Sequence, residues 1–176
     1  MVDWIVESLN QDHERADFSC GHPSLDDFIK KYASQYARRK LGTTYVAVVA
    51  GQKRVLGYYT LAPSHFEFAL APPELIKGLP KHPVPSLLLA RLAVTQSERG
   101  QGLGPFLLRD AFDRCLHVAR DVSFRAIEVQ AIDDQAAAFY AKFGFLSFPG
   151  DPHHLAIGLE TVEKAMRQAG GGRNAR

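Results

Sequence analysis

The chain has 176 residues, of which 46% are hydrophobic and 23% are charged, and its formal net charge is +2. This length favours one domain, whose core buries about two thirds of the surface that the unfolded chain exposes. No apolar run approaches the roughly 20 residues of a membrane-spanning helix, and the N-terminal MVDWIVESL lacks the basic region of a signal peptide. Two cysteines, Cys20 and Cys115, are too few for a disulfide framework, so we expect free thiols in a cytoplasmic protein.

Hydrophobic spacing alternates between the strand and the helix periods along the chain. In chain order, the predicted elements are a strand at 4–8, a helix of about 15 residues after Ser24, a hairpin of 43–50 and 54–62, a short helix at PELIKG, a strand at 86–94, a helix from 103 to about 119, a strand at 126–132, a short helix over QAAAFYAKF, and strands in FLSF and HLAIGL. This order predicts an α/β fold with a mixed central sheet flanked by helices.

Capping and breaking residues set the expected helix ends. Ser24, with Asp27 three residues later, predicts the start of the first helix. Asp133 or Asp134 predicts the start of the QAAAFYAKF helix, and Gly144 its end. We expect a single domain over residues 1–165 and a disordered tail over residues 166–176.

A glycine-rich turn, R-G-Q-G-L-G, occupies residues 99–104 between a buried strand and a long helix. Such a turn can bind a phosphate, because glycines let the backbone approach an anion and the helix N-terminus presents free N–H groups. Arg99 adds a positive charge with two parallel donors. The helix lacks the Lys-Ser/Thr pair of a nucleoside-triphosphate loop, and the glycine spacing does not fit a dinucleotide fold. A flexible turn without a ligand stays open as the alternative.

The turn resembles the R/Q-x-x-G-x-G/A motif of the GNAT family of N-acetyltransferases, and A-A-A-F-Y-A-K-F-G-F (136–145) resembles that family's C-terminal signature. The resemblance covers about residues 3–160. It implies the GNAT acyltransferase fold with acetyl-CoA as donor, the pyrophosphate lying on the turn and the pantetheine arm along the preceding strand. The implied acetyl-CoA-binding residues are Leu92, Ala93, Val94, Arg99, Gly100, Gln101, Gly102, Leu103 and Gly104.

Further stretches resemble the toxin subgroup of these acetyltransferases: F-S-C-G-H-P-S-L-D-D-F-I-K-K-Y-A, V-L-G-Y-Y-T-L-A and L-L-L-A-R-L-A-V. Toxins of this kind acetylate the free α-amino group of aminoacyl-tRNA and so inhibit translation. The resemblance also implies an antitoxin partner of the ribbon-helix-helix type, a repressor complex with it, and a homodimer.

Tyr140 stands at the position that matches the family's catalytic tyrosine, which implies that it protonates the departing CoA thiolate. A phenol, with a pKa near 10, carries its proton at neutral pH. No general base is evident; Glu128 and Asp133 are candidates, with a surface position or a helix cap as the alternative. An α-amino group, with a pKa near 8, is partly neutral without a base. The histidines lack ligand spacing with cysteines or carboxylates, so we expect no metal.

Basic residues cluster near the first helix, and a charged tRNA would need such residues for its phosphates. The candidate RNA contacts are Lys30, Lys31, Arg38, Arg39, Lys40 and Arg91. The alternatives are a solvated helix face or a docking surface for an acidic antitoxin tail.

Two other functions stay open at this point. One is the same acetyl transfer to a protein N-terminus, a lysine or a small amine. The other is a non-catalytic regulatory domain of the same fold, although a domain that only binds has no use for Tyr140.

Overall fold

The computed structural model describes residues 1–171. Within them, seven strands form one sheet in the order β1-β2-β3-β4-β5-β7-β6. The strands are Trp4–Ser8 (β1), Thr43–Val49 (β2), Gly57–Phe66 (β3), Val84–Val94 (β4), Ala126–Gln130 (β5), Leu146–Phe148 (β6) and Asp151–Gly158 (β7). A mixed sheet flanked by helices confirms the predicted α/β fold.

Six α-helices lie between or after these strands in the described part of the chain. They are Pro23–Asp27 (α1), Ala33–Arg38 (α2), Pro73–Ile76 (α3), Leu103–Val118 (α4), Asp134–Lys142 (α5) and Leu159–Gly171 (α6). A π-helical turn, Phe28–Tyr32, joins α1 to α2. None of the described helices is both long and apolar enough to cross a membrane.

The chain divides into two compact units. The first contains residues 1–62 with 89–111, and the second contains residues 63–88 with those from 112 onward. Each of the strands β3 and β4 is therefore divided between the two units. Whether residues 1–165 act as one domain stays a prediction.

The core of the first unit lies between its strands and the helical segment 23–38. β1 pairs antiparallel with β2, and β2 with β3. The β2/β3 pairing places Val46 opposite Tyr58, and both are fully buried. The buried cluster consists of Phe18, Cys20, Phe28, Ile29, Ala33, Val46, Val48, Val55, Tyr58 and Ala93. The Tyr58 hydroxyl donates to the Leu25 carbonyl at 2.7 Å, so the polar end of this buried ring is satisfied.

Helix α4 packs against the start of β3 at a residue without a side chain. A Cβ at Gly57 would lie 2.8 Å from Leu107 Cδ1 and 3.1 Å from the Ala93 carbonyl oxygen. Leu103 and Leu107, on the same helix, are almost completely buried. The close approach fixes the N-terminal half of α4, and with it the glycine turn that precedes the helix.

The second unit has its own core, built on the antiparallel pairs β5/β7 and β6/β7. Its buried cluster consists of Phe66, Ala71, Leu75, Val84, Ala126, Phe148 and Ala156. Helix α6 follows β7 directly and buries Val162 completely.

Four local expectations are wrong in detail. Ser24 does not cap the first helix: the N-cap is His22, because Pro23 already has the backbone angle of a first helical residue. The second hairpin strand begins at Gly57, since Arg54 forms a bridge with Glu14 instead. β5 ends at Gln130, two residues early.

The fourth correction concerns the C-terminal tail. Helix α6 continues to Gly171, so residues 166–171 are helical where we expected disorder. Val162 is its one fully buried side chain, yet Leu159, Val162, Met166 and Ala169 recur at helical spacing, so the sequence did carry a signal for this helix. Residues 172–176 lie outside the described part of the chain.

Gly57→Ala is expected to lower the free energy of unfolding by about 1–3 kcal/mol, because the added methyl must displace Leu107 or the β4 backbone. Urea denaturation measures the change. Gly170→Ala is the matched control: its Cβ meets nothing within 4 Å, and alanine favours a helix. Equal stability of wild type and Gly57→Ala would contradict the close packing of α4 on β3.

Candidate active site

The glycine turn forms an open backbone cradle in front of a long helix. Gly100 and Gly102 have φ angles of +74° and +91°, in the left-handed region that favours glycine. A Cβ added at either residue would meet no protein atom within 4 Å, so the space in front of the turn is free. Helix α4, 16 residues long, begins at Leu103 and points the unpaired N–H groups of its first turn toward this space. The arrangement fits a bound phosphate or pyrophosphate.

A second loop holds the entry to the cradle in place. The Ser19 carbonyl accepts hydrogen bonds from Thr95 Oγ1 at 3.2 Å and from the Gln96 N–H at 2.8 Å. Thr95 also donates its own N–H to the Leu56 carbonyl at 2.8 Å. These bonds fix the residues that connect the end of β4 to the turn.

The side chains of Arg99 and Gln101 are engaged with the protein. The Arg99 guanidinium donates to the Cys20 carbonyl, and Gln101 Nε2 donates to the Ser97 carbonyl at 3.1 Å. From the sequence we expected the positive charge of Arg99 to contact the bound anion. In the structure, one of its guanidinium nitrogens instead donates to the loop that carries Cys20. The backbone of the turn is therefore the main candidate ligand for a phosphate.

The strand residues that precede the turn are also in place for backbone contacts. Leu92 and Val94 are half-buried and Ala93 is buried. All three lie at the end of β4 that leads into the glycine turn. Gly104 follows Leu103 in the first turn of α4.

Tyr140 lies on α5 in the second unit and is 6% exposed. Its ring packs against Phe139 and Phe145, each at 5.2 Å between ring centroids. Burial raises the pKa of its phenol above the ordinary value, so the hydroxyl stays protonated at neutral pH. The side chain makes no hydrogen bond to any of residues 1–171, which leaves its proton available to an incoming group.

The two carboxylates considered as bases have other contacts. Asp133 is the N-cap of α5 and accepts the Ala136 N–H at 2.8 Å, which confirms the predicted cap. Glu128 is only 4% exposed, so the alternative of a surface residue is wrong. Its two oxygens bond Ser86 Oγ and His154 Nε2, each at 2.7 Å, so neither is free to take a proton directly.

The predicted RNA-contact residues are exposed, except for Arg91. The exposed residues are Lys30, Lys31, Arg38, Arg39 and Lys40. Lys31 pairs with Asp27 at 2.9 Å, and this carboxylate raises the pKa of its ammonium. Arg91 is half-buried, with its guanidinium carbon 3.7 Å from the centroid of the Phe28 ring. This cation–π contact places Arg91 beside the same helical segment as the lysines.

Neither the cysteines nor the histidines form a metal centre. Both Cys20 and Cys115 are free and buried, as expected. Burial raises the pKa of the Cys20 thiol to about 11 and that of Cys115 to about 12, so neither is a reactive thiolate. Among residues 1–171, no group of three or more potential ligands lies close enough to hold a metal ion.

The model of the Acetyltransferase (GNAT) family matches residues 6–145, most of the chain. The chain belongs to the GNAT acetyltransferase family. The glycine turn and Tyr140 both lie within the matched region. The expected fold and reaction class are thereby confirmed: this GNAT protein is an N-acetyltransferase.

Similar proteins include several toxins. The tRNA-acetylating toxin of Mycobacterium tuberculosis is 44% identical over 140 residues, which cover 80% of this chain and 82% of the toxin. The structure of AtaT complexed with acetyl-methionyl-tRNAfMet has a TM-score of 0.85 and 29% identity, covering 93% of this chain and 99% of that one. A tyrosine-to-phenylalanine mutant of AtaT, bound to the C-terminus of the antitoxin AtaR and acetyl-CoA, has a TM-score of 0.80 and 27% identity, covering 93% and 98%.

Proposed function

We propose that this GNAT protein transfers the acetyl group of acetyl-CoA to the α-amino group of aminoacyl-tRNA and thereby inhibits translation. The observation that carries the proposal is the open cradle of Gly100 and Gly102 at the N-terminus of α4. It is supported by the 44% identity to a tRNA-acetylating toxin, which the chain covers over most of that toxin's length. A regulatory binder would need neither a donor cradle nor a buried, protonated tyrosine.

The donor is proposed to lie on residues 92–94 and 99–104. The backbone N–H groups of the turn would bind the pyrophosphate, and the positive end of α4 would stabilise its charge. The edge of β4 at Leu92, Ala93 and Val94 would pair with the amide groups of the pantetheine arm. When bound, acetyl-CoA supplies a thioester carbonyl that an amine can attack.

Tyr140 is proposed to protonate the departing thiolate. Its raised pKa keeps the phenol neutral over the working pH range, and its packing against Phe139 and Phe145 fixes the direction of the hydroxyl. A positioned general acid typically contributes about 10²–10⁴-fold to a rate.

The exposed basic residues near the helical segment 23–38 are proposed to bind tRNA phosphates. The five exposed residues and Arg91 present positive charge within one unit, although Asp27 partly neutralises Lys31. An α-amino acceptor also fits a site with little base strength, because its pKa lies more than two units below that of a lysine side chain.

The partners are proposed by analogy with the toxin relatives. We infer an antitoxin of the ribbon-helix-helix type, a repressor complex with it, a homodimer and a cytoplasmic location. The antitoxin-bound AtaT structure supports an antitoxin partner.

Gly102→Ala is expected to weaken acetyl-CoA binding by about tenfold or more, because alanine is strained at a φ of +91° and shifts the N–H groups of the turn. Each hydrogen bond to a charged group that is lost in this way removes about 1.5–3 kcal/mol. Calorimetry measures the dissociation constant. Gly150→Ala is the control, since Gly150 also has a positive φ, +83°, with no atom within 4 Å of its Cβ. Gly150→Ala introduces a backbone strain similar to that of Gly102→Ala, but its acetyl-CoA affinity should match wild type. Unchanged affinity in Gly102→Ala would show that the cofactor binds elsewhere.

Tyr140→Phe is expected to reduce acetyl transfer about 10²–10⁴-fold, while the acetyl-CoA affinity stays within about threefold of wild type. The measurement follows labelled acetyl from acetyl-CoA into a mixed pool of charged tRNAs. Label that leaves the RNA with the amino acid on deacylation identifies the α-amino group. Absence of label on every charged tRNA would contradict aminoacyl-tRNA as the substrate and leave protein and small amines as the candidate acceptors.

The double variant Lys30→Gln, Arg38→Gln is expected to raise KM for charged tRNA several-fold without lowering kcat. Each lost phosphate contact should also reduce the slope of log affinity against log salt by about 1. The double variant Lys164→Gln, Arg167→Gln, at two exposed residues of α6, removes the same charge and is the matched control. A salt slope equal to that of wild type would remove these two residues from the RNA contact.

A further inference from the structure

A buried polar network crosses three strands of the second unit. Glu128 on β5 accepts from Ser86 Oγ on β4 with one oxygen and bonds His154 Nε2 on β7 with the other, both at 2.7 Å. The side chain of Glu128 is 6% exposed and that of His154 is 24% exposed. The carboxylate is therefore buried, and the imidazole connects it to the surface.

The geometry defines the state and the direction of the imidazole. Because Glu128 is a hydrogen-bond acceptor when ionised, Nε2 of His154 carries the proton and Nδ1 keeps a lone pair. Among residues 1–171, no protein group bonds Nδ1. The ring stacks on Phe148, with centroids 3.6 Å apart and planes at 12°, which restricts its rotation.

His154 lies at the end of β5 from which the Tyr140 helix starts. Its Cα is paired in register with Gln130, the last residue of β5. Three residues later the chain reaches Asp133, the N-cap of α5. Functional groups in α/β sheets gather at the carboxyl ends of the strands. His154 and the start of the helix that carries Tyr140 thus share this end of β5 within one unit.

An adjacent pair shows what a merely structural histidine looks like here. His153 Nε2 lies 2.6 Å from Asp134 Oδ1, but the Asp134 side chain is 99% exposed. A pair this exposed contributes little. The neighbouring Glu128–His154 pair is instead buried, held by Ser86, and stacked on an aromatic ring.

We propose that His154 is the general base that deprotonates the acceptor amine, with Glu128 and Ser86 as positioning residues; this rests on the proposed function. The α-ammonium group of the acceptor gives one proton to His154 Nδ1, and the neutral amine attacks the thioester carbonyl. A C–N bond forms and the C–S bond breaks. Tyr140 gives its proton to the thiolate, and the phenolate takes the second proton of the amine nitrogen. His154 releases its proton to water, so acetylated amine, free CoA and one proton are the products.

The experiment compares pH profiles of kcat for the full chain and its variants. Acceptors are charged tRNA, at pH 6 and 7, and an amino-acid amide, from pH 6 to 9. His154→Asn is expected to lose about 10-fold at pH 7, since only about a tenth of an amine with pKa near 8 is neutral there. At pH 9 the loss should shrink to within about threefold, with the acetyl-CoA KM unchanged.

Two further variants separate catalysis from folding. Glu128→Gln, which keeps the shape of the side chain, should shift the profile in the same direction by a smaller amount. His153→Asn, the matched control, should follow wild type at every pH. A thermal melt and the acetyl-CoA affinity of each variant report on its fold.

A pH-dependent loss in His154→Asn, absent in His153→Asn, supports the base. Wild-type rates at pH 7, or a loss equal at all pH values, overturn it. If wild type acetylates the amide but no charged tRNA, only the proposed substrate fails, and the amide profile still decides the role of His154. If wild type acetylates neither acceptor, both proposals fail.

Discussion

The hydrogen bonds to the Ser19 carbonyl hold the start of the glycine turn in position within the first unit. This carbonyl accepts from both Thr95 Oγ1 and the Gln96 N–H, at the point where β4 ends. Beside it, the Cys20 carbonyl accepts from Arg99. An anion-binding turn must be free of side chains and yet rigid, since a flexible turn would lose on ordering much of what its N–H groups gain. The loop 18–22 supplies this rigidity from outside, so the turn itself can consist of glycines.

The buried Glu128 carboxylate is the corresponding constraint in the second unit. A charge with so little exposure is costly unless it is paired and hydrogen-bonded. Ser86 and His154 meet that requirement from the two neighbouring strands. A carboxylate held in this way is stabilised chiefly through its partners, and it fixes in turn which nitrogen of His154 bears the proton. A pair of apolar side chains would fill the same space without the free-energy cost of burying a charge. The presence of the Glu128 carboxylate therefore favours a chemical role for it.

Features that depend on neighbouring residues could be predicted from the sequence. Gly102 and the helix after it, the Asp133 cap, and the strand over 86–94 are all specified within a few residues. Contacts between distant residues could not be. The Thr95–Ser19 bond joins residues 76 apart, and Glu128 meets His154 across 26 residues. Arg99 illustrates the limit: an arginine before a glycine turn suggested an anion ligand, but the Cys20 carbonyl, 79 residues away, takes part of its donor set.

Because Tyr140 is buried, its phenol can act as a proton donor but not as a resting base. Because its pKa is raised by desolvation, the phenol is a ready donor at neutral pH but its anion is costly, so the phenolate cannot wait as a resting base. It can accept a proton only in the instant after it has given one. The first deprotonation of the ammonium group must therefore fall to another group or to water. An acceptor with a pKa near 8 can lose this proton to water at some cost in rate, whereas a lysine near 10.4 would be neutral about 250-fold less often. A weak, well-oriented base beside β5 thus suits an α-amino acceptor and gives a lysine side chain little help.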